Sequence, residues 1–197
     1  MTASDHPSQG PDSVQLDLPG CRIRSWRVGD EAPLVRHADN RKIWLNVRDR
    51  FPHPYTLGDA EAWLARVTAA EPETQFAIEV EGGAAGGIGL FLQEDVSRFS
   101  AEIGYWLGEA YWGRGLMTSV VRRFVEYAFD TFTLNRIYGN VFAWNESSGR
   151  VLVKAGFELE GRHRRAEVKD GRVVDNLVYA VVRDLRPGDG PSALAAL

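Results

Sequence analysis

Residues 103–118 read IGYWLGEAYWGRGLMT, and this segment organises the rest of the chain. A predicted strand at 99–107 leads into a turn that contains Gly113 and Gly115, and a predicted helix follows at once over 116–130. The free N–H groups at the start of a helix and the positive end of its dipole attract anions, and glycine lets the main chain approach a phosphate closely. The segment therefore indicates a phosphate-binding turn, with a plain strand-to-helix turn as the alternative.

The spacing of the glycines excludes two common phosphate motifs. A dinucleotide-binding fingerprint that starts at Gly113 needs a glycine where Thr118 stands and an acid about 20 residues later, near Asn135. A P-loop that starts at Gly108 needs Lys and then Ser or Thr after its second glycine, but the sequence continues with Arg and Gly. Neither nucleotide-binding class fits this chain.

Hydrophobic patterns place further strands and helices on both sides of this segment. Thr56 and Asp59 form a capping-box pattern for one helix, and Gly82-Gly83 and Asp170-Gly171 suit tight hairpin turns. Strands are predicted at 21–27, 75–81, 84–93, 99–107, 136–143, 157–168 and 175–182, and helices at 29–37, 40–45, 56–70, 116–130 and 145–155. This order predicts an α/β (α+β) fold in which helices flank a mixed, mostly antiparallel sheet.

Length and composition indicate one globular unit. The chain has 197 residues, of which 44% are hydrophobic and 25% charged, so global disorder is excluded. Residues 1–18 and 187–197 lack any periodicity and are predicted to be flexible tails. Residues 19–186 are predicted to form a single domain.

Charge, hydropathy and cysteine usage exclude several classes of protein. A net charge of −4 without a strong basic face argues against a nucleic-acid partner. No apolar run is long enough to span a membrane, and the first residues lack the pattern of a signal peptide. Cys21 is the sole cysteine, so no disulfide framework or cysteine-based metal site is expected, and we predict a reducing, cytoplasmic location.

Several motifs in a fixed order resemble the GNAT N-acetyltransferases, especially the ribosomal-protein (RimJ/RimL-like) branch. The strand and glycine turn at 101–118 match motif A of that family. The likeness continues in FPHPYT at 51–56, in IYGNV at 137–141 and in NESSGRVLVKAGFE at 145–158. It covers nearly all of the predicted domain. The resemblance implies the GNAT acyl-CoA N-acyltransferase fold, acetyl-CoA as cosubstrate and no metal.

The resemblance assigns the glycine turn to the pyrophosphate of coenzyme A. Main-chain N–H groups would bind it, and Arg114 would add a charge-assisted contact or remain solvated. The end of the preceding strand would pair with the amides of pantetheine, and Asn145 would contact the same arm. The residues thereby implicated in coenzyme binding are Trp106, Leu107, Trp112, Gly113, Arg114, Gly115, Leu116, Met117 and Asn145.

Glu102 is the first candidate for the general base of such a reaction. An amine must lose a proton before it attacks, and a lysine-like amine has a pKa of about 10. Glu102 lies between two apolar residues in a predicted strand, where partial burial is expected. An exposed edge glutamate is the alternative interpretation. Glu158, Glu160 and His53 are the further candidates.

Ser148 is the candidate for the acid that protonates the leaving thiolate. Many members of the family carry a tyrosine for this purpose seven residues after the asparagine, where this chain has Leu152. Ser148 lies three residues after Asn145, so both are expected on the same side of a helix start. Both residue types also favour the helix N-cap, which is one alternative interpretation. The other is that the thiolate leaves unassisted or with help from water.

The resemblance leaves the acceptor open. The chain is expected to acetylate a primary amine by direct attack, and the branch suggests the N-terminal amine of a ribosomal protein. The alternatives are a small amine, such as a polyamine or an antibiotic, and a coenzyme-binding sensor without activity. No direct nucleic-acid, membrane or metal partner is expected, and the chain would act as a monomer or a homodimer.

Overall fold

The computed structural model describes residues 14–184, which form one eight-stranded sheet with helices on both faces. The strands are β1 (Gln15–Leu18), β2 (Cys21–Ser25), β3 (Gln75–Val80), β4 (Gly83–Leu92), β5 (Ser100–Leu107), β6 (Arg136–Phe142), β7 (Glu158–Lys169) and β8 (Arg172–Val182). The helices are α1 (Glu31–Ala38), α2 (Arg41–Trp44), α3 (Leu57–Thr68), α4 (Leu116–Thr131) and α5 (Glu146–Lys154). None of the helices within the described residues is long and apolar enough to cross a membrane.

The strands lie in the order β1-β2-β3-β4-β5-β6-β8-β7. Neighbouring strands pair in antiparallel fashion except β5 and β6, which are parallel. A parallel pair needs a crossover connection, and α4 supplies it. The prediction of an α/β fold with a mixed, mostly antiparallel sheet is confirmed.

The two tight hairpin turns differ in how well the sequence predicted them. Asp170-Gly171 has φ angles of 49° and 71°, and a two-residue primed turn needs positive values at both positions. In the other hairpin the positive φ angles fall on Glu81 (53°) and Gly82 (84°), while Gly83 pairs with Val80 as the first residue of β4. The predicted Gly82-Gly83 turn is therefore wrong by one residue, because the pairing register fixes the turn and the glycine content does not.

The first strand corrects the predicted N-terminal tail. Residues 15–18, assigned to a flexible arm, form β1, which pairs with β2 along its whole length. Leu16 and Leu18 alternate with more exposed neighbours and pack against the main core. Four residues are too few for this alternation to stand out in a sequence. Residues 1–13 and the predicted tail at 187–197 lie outside the described residues.

Each face of the sheet carries its own hydrophobic core. On one face, α4 and α5 cover the larger core, which includes the fully buried Phe76, Phe124 and Leu152. On the other face, α1 and α3 cover a smaller core that contains Trp26 and Leu64. These are called the α4–α5 face and the α1–α3 face below. Because side chains alternate along a strand, β3, β4 and β5 contribute to both cores.

The helix α3 begins at the predicted capping box. Thr56 Oγ1 accepts a hydrogen bond from the Asp59 N–H at 3.3 Å, and the Asp59 carboxylate accepts one from the Thr56 N–H at 2.8 Å. This arrangement satisfies main-chain donors that the helix start would otherwise leave unpaired. It also fixes the end of the loop at 45–56, which borders the candidate site.

Candidate active site

The strands β5 and β6 form a fork near the middle of the sheet. They pair over three residues only, ending with Glu102 opposite Tyr138. Beyond that pair, β5 follows β4 to Leu107, whereas β6 follows β8 to Phe142. The two strands therefore separate, and the gap between them, here called the fork, opens the sheet from one face to the other.

Main-chain groups of β5 point into the fork. The Ser100 C=O and the Gly108 N–H both bond to the β4 side, so the even-numbered residues of β5 direct their main-chain groups at β4. The odd-numbered residues consequently direct theirs at β6 and the fork. The pairing of Glu102 with Tyr138 engages the Ile103 N–H with the Tyr138 C=O. The Ile103 C=O, both main-chain groups of Tyr105 and the Leu107 N–H face the fork and suit an extended ligand that carries amides.

The glycine turn follows β5 at the open end of the fork. Gly113 and Gly115 have φ angles of 75° and 77°, which residues with side chains rarely adopt. A Cβ added at either glycine would meet no heavy atom within 4 Å. Gly115 is the N-cap of α4 and offers no side-chain hydrogen bond, so the first N–H groups of the helix suit an anion. The turn fits the predicted pyrophosphate.

The side chains beside the glycines hold the turn in shape. The Trp112 indole N–H donates to the Leu107 C=O at 2.6 Å. Arg114 donates to the Ala110 C=O at 2.9 Å, and its guanidinium lies 5.2 Å from the centroid of the Tyr111 ring. The side chains of Trp112 and Arg114 are thus already hydrogen-bonded within the chain. Their contacts to a coenzyme stay predictions.

The side chains of three further residues predicted to contact the coenzyme pack against the hydrophobic cores. Leu116 and Met117 pack against the core of the α4–α5 face, so Met117 leaves the space over the glycines open. Trp106 packs on the opposite face, edge-on to Phe51 with ring centroids 5.6 Å apart. The main chain of Trp106 also faces β4, so Leu107 is the member of the predicted strand-end pair that borders the fork.

Asn145 begins α5 as its N-cap. Its Oδ1 accepts hydrogen bonds from the Ser148 N–H at 3.2 Å and from the Ser147 hydroxyl at 2.9 Å. The helix-cap interpretation of Asn145 is confirmed. Its contact to a coenzyme stays a prediction.

Ser148 has a partner that sequence reasoning missed. Tyr105 Oη lies 2.8 Å from Ser148 Oγ and 3.3 Å from the Ser148 main-chain oxygen. Burial raises the pKa of Tyr105, and the hydrogen bond with Ser148 offsets part of that shift. The sequence did hold a signal for this side of the strand. Ile103, Tyr105 and Leu107 are two positions apart in one strand, so their side chains share the face of the α4–α5 core.

Leu152 occupies the position of the tyrosine that many family members carry. It is fully buried. A Cβ on Gly139 of β6 would lie 3.1 Å from Leu152 and 3.4 Å from Ile103 of β5. Leu152 therefore fills the space above the closed end of the fork.

Glu102 lies at the closed end of the fork on the α1–α3 face. Its two carboxylate oxygens accept hydrogen bonds from Arg48 Nη2 at 2.6 and 2.8 Å, and 13% of its side chain is exposed. The pKa of Tyr138, which faces Glu102, is raised mainly by burial and to a smaller extent by the negative charge of Glu102. The expected partial burial of Glu102 is confirmed, its ion pair was not foreseen, and its role as base stays a prediction.

The other candidate bases lie outside β5 and β6. Glu158 and Glu160 belong to β7, which β8 separates from β6. Glu160 forms an ion pair with Arg136, at the start of β6. His53 stacks on Trp44, with ring centroids 5.6 Å apart. Of the predicted bases, Glu102 is the one that belongs to a strand of the fork.

Three consecutive residues anchor the loop at 45–56 on the α1–α3 face. Arg48 donates hydrogen bonds to the Glu102 carboxylate of β5, as described above. Asp49 accepts a hydrogen bond at 2.6 Å from Lys169 Nζ, at the end of β7, and Lys169 is only 1% exposed. The Arg50 guanidinium lies 4.2 Å from the centroid of the Phe91 ring on β4. The loop and the β7–β8 hairpin therefore form one connected wall on this face.

The part of the chain that the structure describes contains no evident metal site. No group of three or more His, Cys, Asp or Glu side chains within it could hold an ion. Cys21 is half-buried, and burial raises the pKa of its thiol.

A comparison with protein families agrees with this geometry. Residues 21–158, more than half of the chain, match the family described as Acetyltransferase (GNAT) domain. The match includes both strands of the fork and the glycine turn. The chain belongs to the GNAT acetyltransferase family, as its motifs predicted.

Individual relatives extend this comparison. The chain is 30% identical over 182 residues to the ribosomal protein uS5-alanine N-acetyltransferase of Escherichia coli, which covers 83% of this chain and 86% of that protein. It is 39% identical over 83 residues to the uncharacterized N-acetyltransferase YoaA of Bacillus subtilis, and the match covers 42% of this chain and 47% of that protein. With YoaA and similar bacterial relatives, the chain spans about half of their length. The solved structure of Mycobacterium smegmatis RimJ in complex with CoA-disulfide has a TM-score of 0.75 at 25% identity, covering 87% of this chain and 88% of that one.

Proposed function

We propose that this chain transfers the acetyl group of acetyl-CoA to a primary amine by direct attack, without a covalent enzyme intermediate. The fork carries the proposal, because it presents unpaired main-chain groups directly before a turn that suits a pyrophosphate. A coenzyme that uses both would place its phosphates at Gly113 and Gly115 and its amides along β5. Membership of the GNAT family supports the same reaction.

The main chain of β5 would hold the coenzyme arm as an added strand. The Ile103 C=O, both main-chain groups of Tyr105 and the Leu107 N–H would supply this pairing, which is the general mode of strand addition. An N–H group near the thioester carbonyl would stabilise the negative charge that develops on its oxygen during attack. The closed end of the fork, at Glu102 and Tyr138, would limit how far the arm enters.

The acceptor amine would reach the thioester from the α1–α3 face. The glycine turn leads directly into α4, so the phosphates would lie towards the α4–α5 face. The opposite mouth of the fork is bordered by Glu102, Tyr138 and the loop that carries Arg48. Glu102 would there accept the amine proton, directly or through water.

Charge pairing on this face favours a peptide N-terminus over a polyamine. Glu102 is compensated by Arg48, and Asp49 by Lys169. Arg50 stacks on an aromatic ring and forms no ion pair among the described residues. A polyamine would bring several positive charges close to Glu102 and Asp49, whose charges are already compensated, which is unfavourable. We therefore propose a protein N-terminal amine, such as that of a ribosomal protein, followed by neutral or acidic residues.

Thiol release from acetyl-CoA tests the reaction and the acceptor class together. The acceptors are two peptides with an N-terminal alanine, one followed by acidic and one by basic residues, and spermidine. We expect kcat/KM to be at least about tenfold higher for the acidic peptide than for the basic one, and no turnover with spermidine. The same acidic peptide with a blocked N-terminus is the control and should be inert.

Two outcomes of that panel would overturn the assignment. Turnover with spermidine and with neither peptide would make the chain a small-amine acetyltransferase. Calorimetric binding of acetyl-CoA without thiol release on any acceptor would make it a sensor.

Gly115→Val should weaken coenzyme binding. A valine would occupy the open space at the turn and disfavour the φ angle of 77°. Gly29→Val is the matched control, because Gly29 has a φ of 97° and equally open surroundings but precedes α1. We expect the Kd for coenzyme A, measured by calorimetry, to rise by about tenfold or more in Gly115→Val only. Equal affinity in the two variants would place the phosphate site elsewhere.

Glu102→Gln should lower kcat by about 10²–10³, the usual range for loss of a general base, because the amide keeps the shape but cannot accept the proton. Glu160→Gln is the matched control, since Glu160 also pairs with an arginine but lies on β7. Its kcat should remain near that of the wild type. A wild-type kcat and pH–rate profile in Glu102→Gln would exclude Glu102 as the base.

A further inference from the structure

The hydrogen bond between Tyr105 and Ser148 spans the fork, and the reaction described above assigns Tyr105 no task beyond its main chain. We propose that Tyr105 is a positioning residue, whose hydroxyl holds Ser148 Oγ so that the serine proton points at the sulfur leaving the thioester. The inference rests on the proposed acetyl transfer and deepens it, because it names what replaces the absent tyrosine at position 152.

Two layers of side chains cross the fork on the α4–α5 face. The first layer, Leu152 with Ile103, closes the space above the end of the fork. The second layer consists of Tyr105 and Ser148. Tyr105 lies two residues after Ile103 on β5, and Ser148 lies about one helical turn before Leu152 on α5. The apolar layer therefore ends where the hydroxyl pair begins, and the pair borders the open part of the fork that the coenzyme arm would enter.

The hydroxyl hydrogens decide whether Ser148 can act as a donor. Tyr105 has one proton, and Ser148 Oγ at 2.8 Å is nearer to it than the Ser148 main-chain oxygen at 3.3 Å. That main-chain oxygen is also the i−4 acceptor for the Leu152 N–H within α5. Either oxygen can donate in this bond. In the proposed arrangement the phenol donates to Ser148 Oγ, which leaves the proton of Ser148 itself uncommitted.

The surroundings keep this orientation fixed. Burial raises the pKa of Tyr105, so its phenol stays protonated and remains a donor across the working pH range. The Ser148 N–H is bound to Asn145 Oδ1 at 3.2 Å, so the serine is held on the main-chain side as well. Three constraints thus act on Ser148, namely the cap, the helix and the phenol, and only its hydroxyl hydrogen is free to turn.

The proton and electron balance of the step is complete without another reagent. The nitrogen of the neutral amine forms a bond to the carbonyl carbon, and the carbon–sulfur bond then breaks. The sulfur leaves with the electron pair and takes the proton of Ser148. The serine oxygen regains a proton from the nitrogen, which must lose one to become an amide. Tyr105 keeps its own proton throughout, so it positions the serine and is not itself the acid.

A double-mutant cycle tests this proposal with acetyl-CoA and the acidic N-terminal alanine peptide. Tyr105→Phe removes only the phenolic oxygen, and Ser148→Ala removes the proposed donor. We expect each single variant to lower kcat by about tenfold, with little change in KM for acetyl-CoA. The double variant should be no slower than Ser148→Ala, because Tyr105 acts only through Ser148. All rates are taken per folded molecule.

Tyr127→Phe is the matched control. Tyr127 packs against the core of the α4–α5 face but lies outside the fork, so its loss of a hydroxyl should leave kcat unchanged. Ser148→Thr is the conservative variant, and it should retain more activity than Ser148→Ala and remain sensitive to Tyr105→Phe. A merely structural role of Tyr105 would not produce this dependence on the hydroxyl at position 148.

The outcomes separate this proposal from the proposed function. Wild-type turnover together with an unchanged kcat in Tyr105→Phe overturns the positioning role alone. Losses that multiply in the double variant also overturn it, since Tyr105 would then act independently of Ser148. A wild-type chain that releases no thiol with any acceptor overturns the acetyl-transfer function and this inference with it.

Discussion

The site depends on the point at which β5 and β6 stop pairing, after Glu102 and Tyr138. Main-chain N–H and C=O groups inside a sheet need partners, and the divergence leaves those of β5 without a neighbouring strand. A ligand that resembles an extended chain of amides supplies these partners. In this account the coenzyme arm completes the sheet, so its binding and its placement follow from one interaction.

Packing on both faces keeps the fork from closing. On the α4–α5 face, Leu152 fills the space between the strands, and on the α1–α3 face, Glu102 is held by Arg48. At the open end, the Trp112 indole satisfies the Leu107 C=O and ties the glycine turn to the end of β5. The turn that suits the phosphates and the strand that suits the amides are thereby held in one fixed relation.

Features of the site that are local in sequence could be predicted. The glycine turn and the Asn145 cap each involve residues within a few positions of one another, where backbone geometry alone decides the structure. The ion pair of Glu102 with Arg48 could not be predicted, because 54 positions separate the two residues. Tyr105 could be predicted in part. Alternation along β5 determines which face its side chain points to, but its hydrogen-bond partner depends on how α5 packs.

The same division holds for the fold. The β3–β4 and β7–β8 hairpins and the mixed sheet follow from hydrophobic alternation and turn residues. The one-residue error at Gly82-Gly83 arises from a pairing register that composition does not encode. The strand at 15–18 was missed because it is stabilised by pairing with β2 and by packing, and not by its own four residues. The fork itself is a property of the register between two strands that α4 separates in sequence.

Amide hydrogen exchange with and without coenzyme A tests the central claim most directly. The N–H groups of Tyr105 and Leu107 face the fork, whereas those of Glu102 and Gly104 face β4. If the coenzyme arm pairs with β5, saturating coenzyme A should slow exchange at Tyr105 and Leu107 and leave Glu102 and Gly104 nearly unchanged. Unaltered exchange at Tyr105 and Leu107, with protection confined to another surface, would contradict the account.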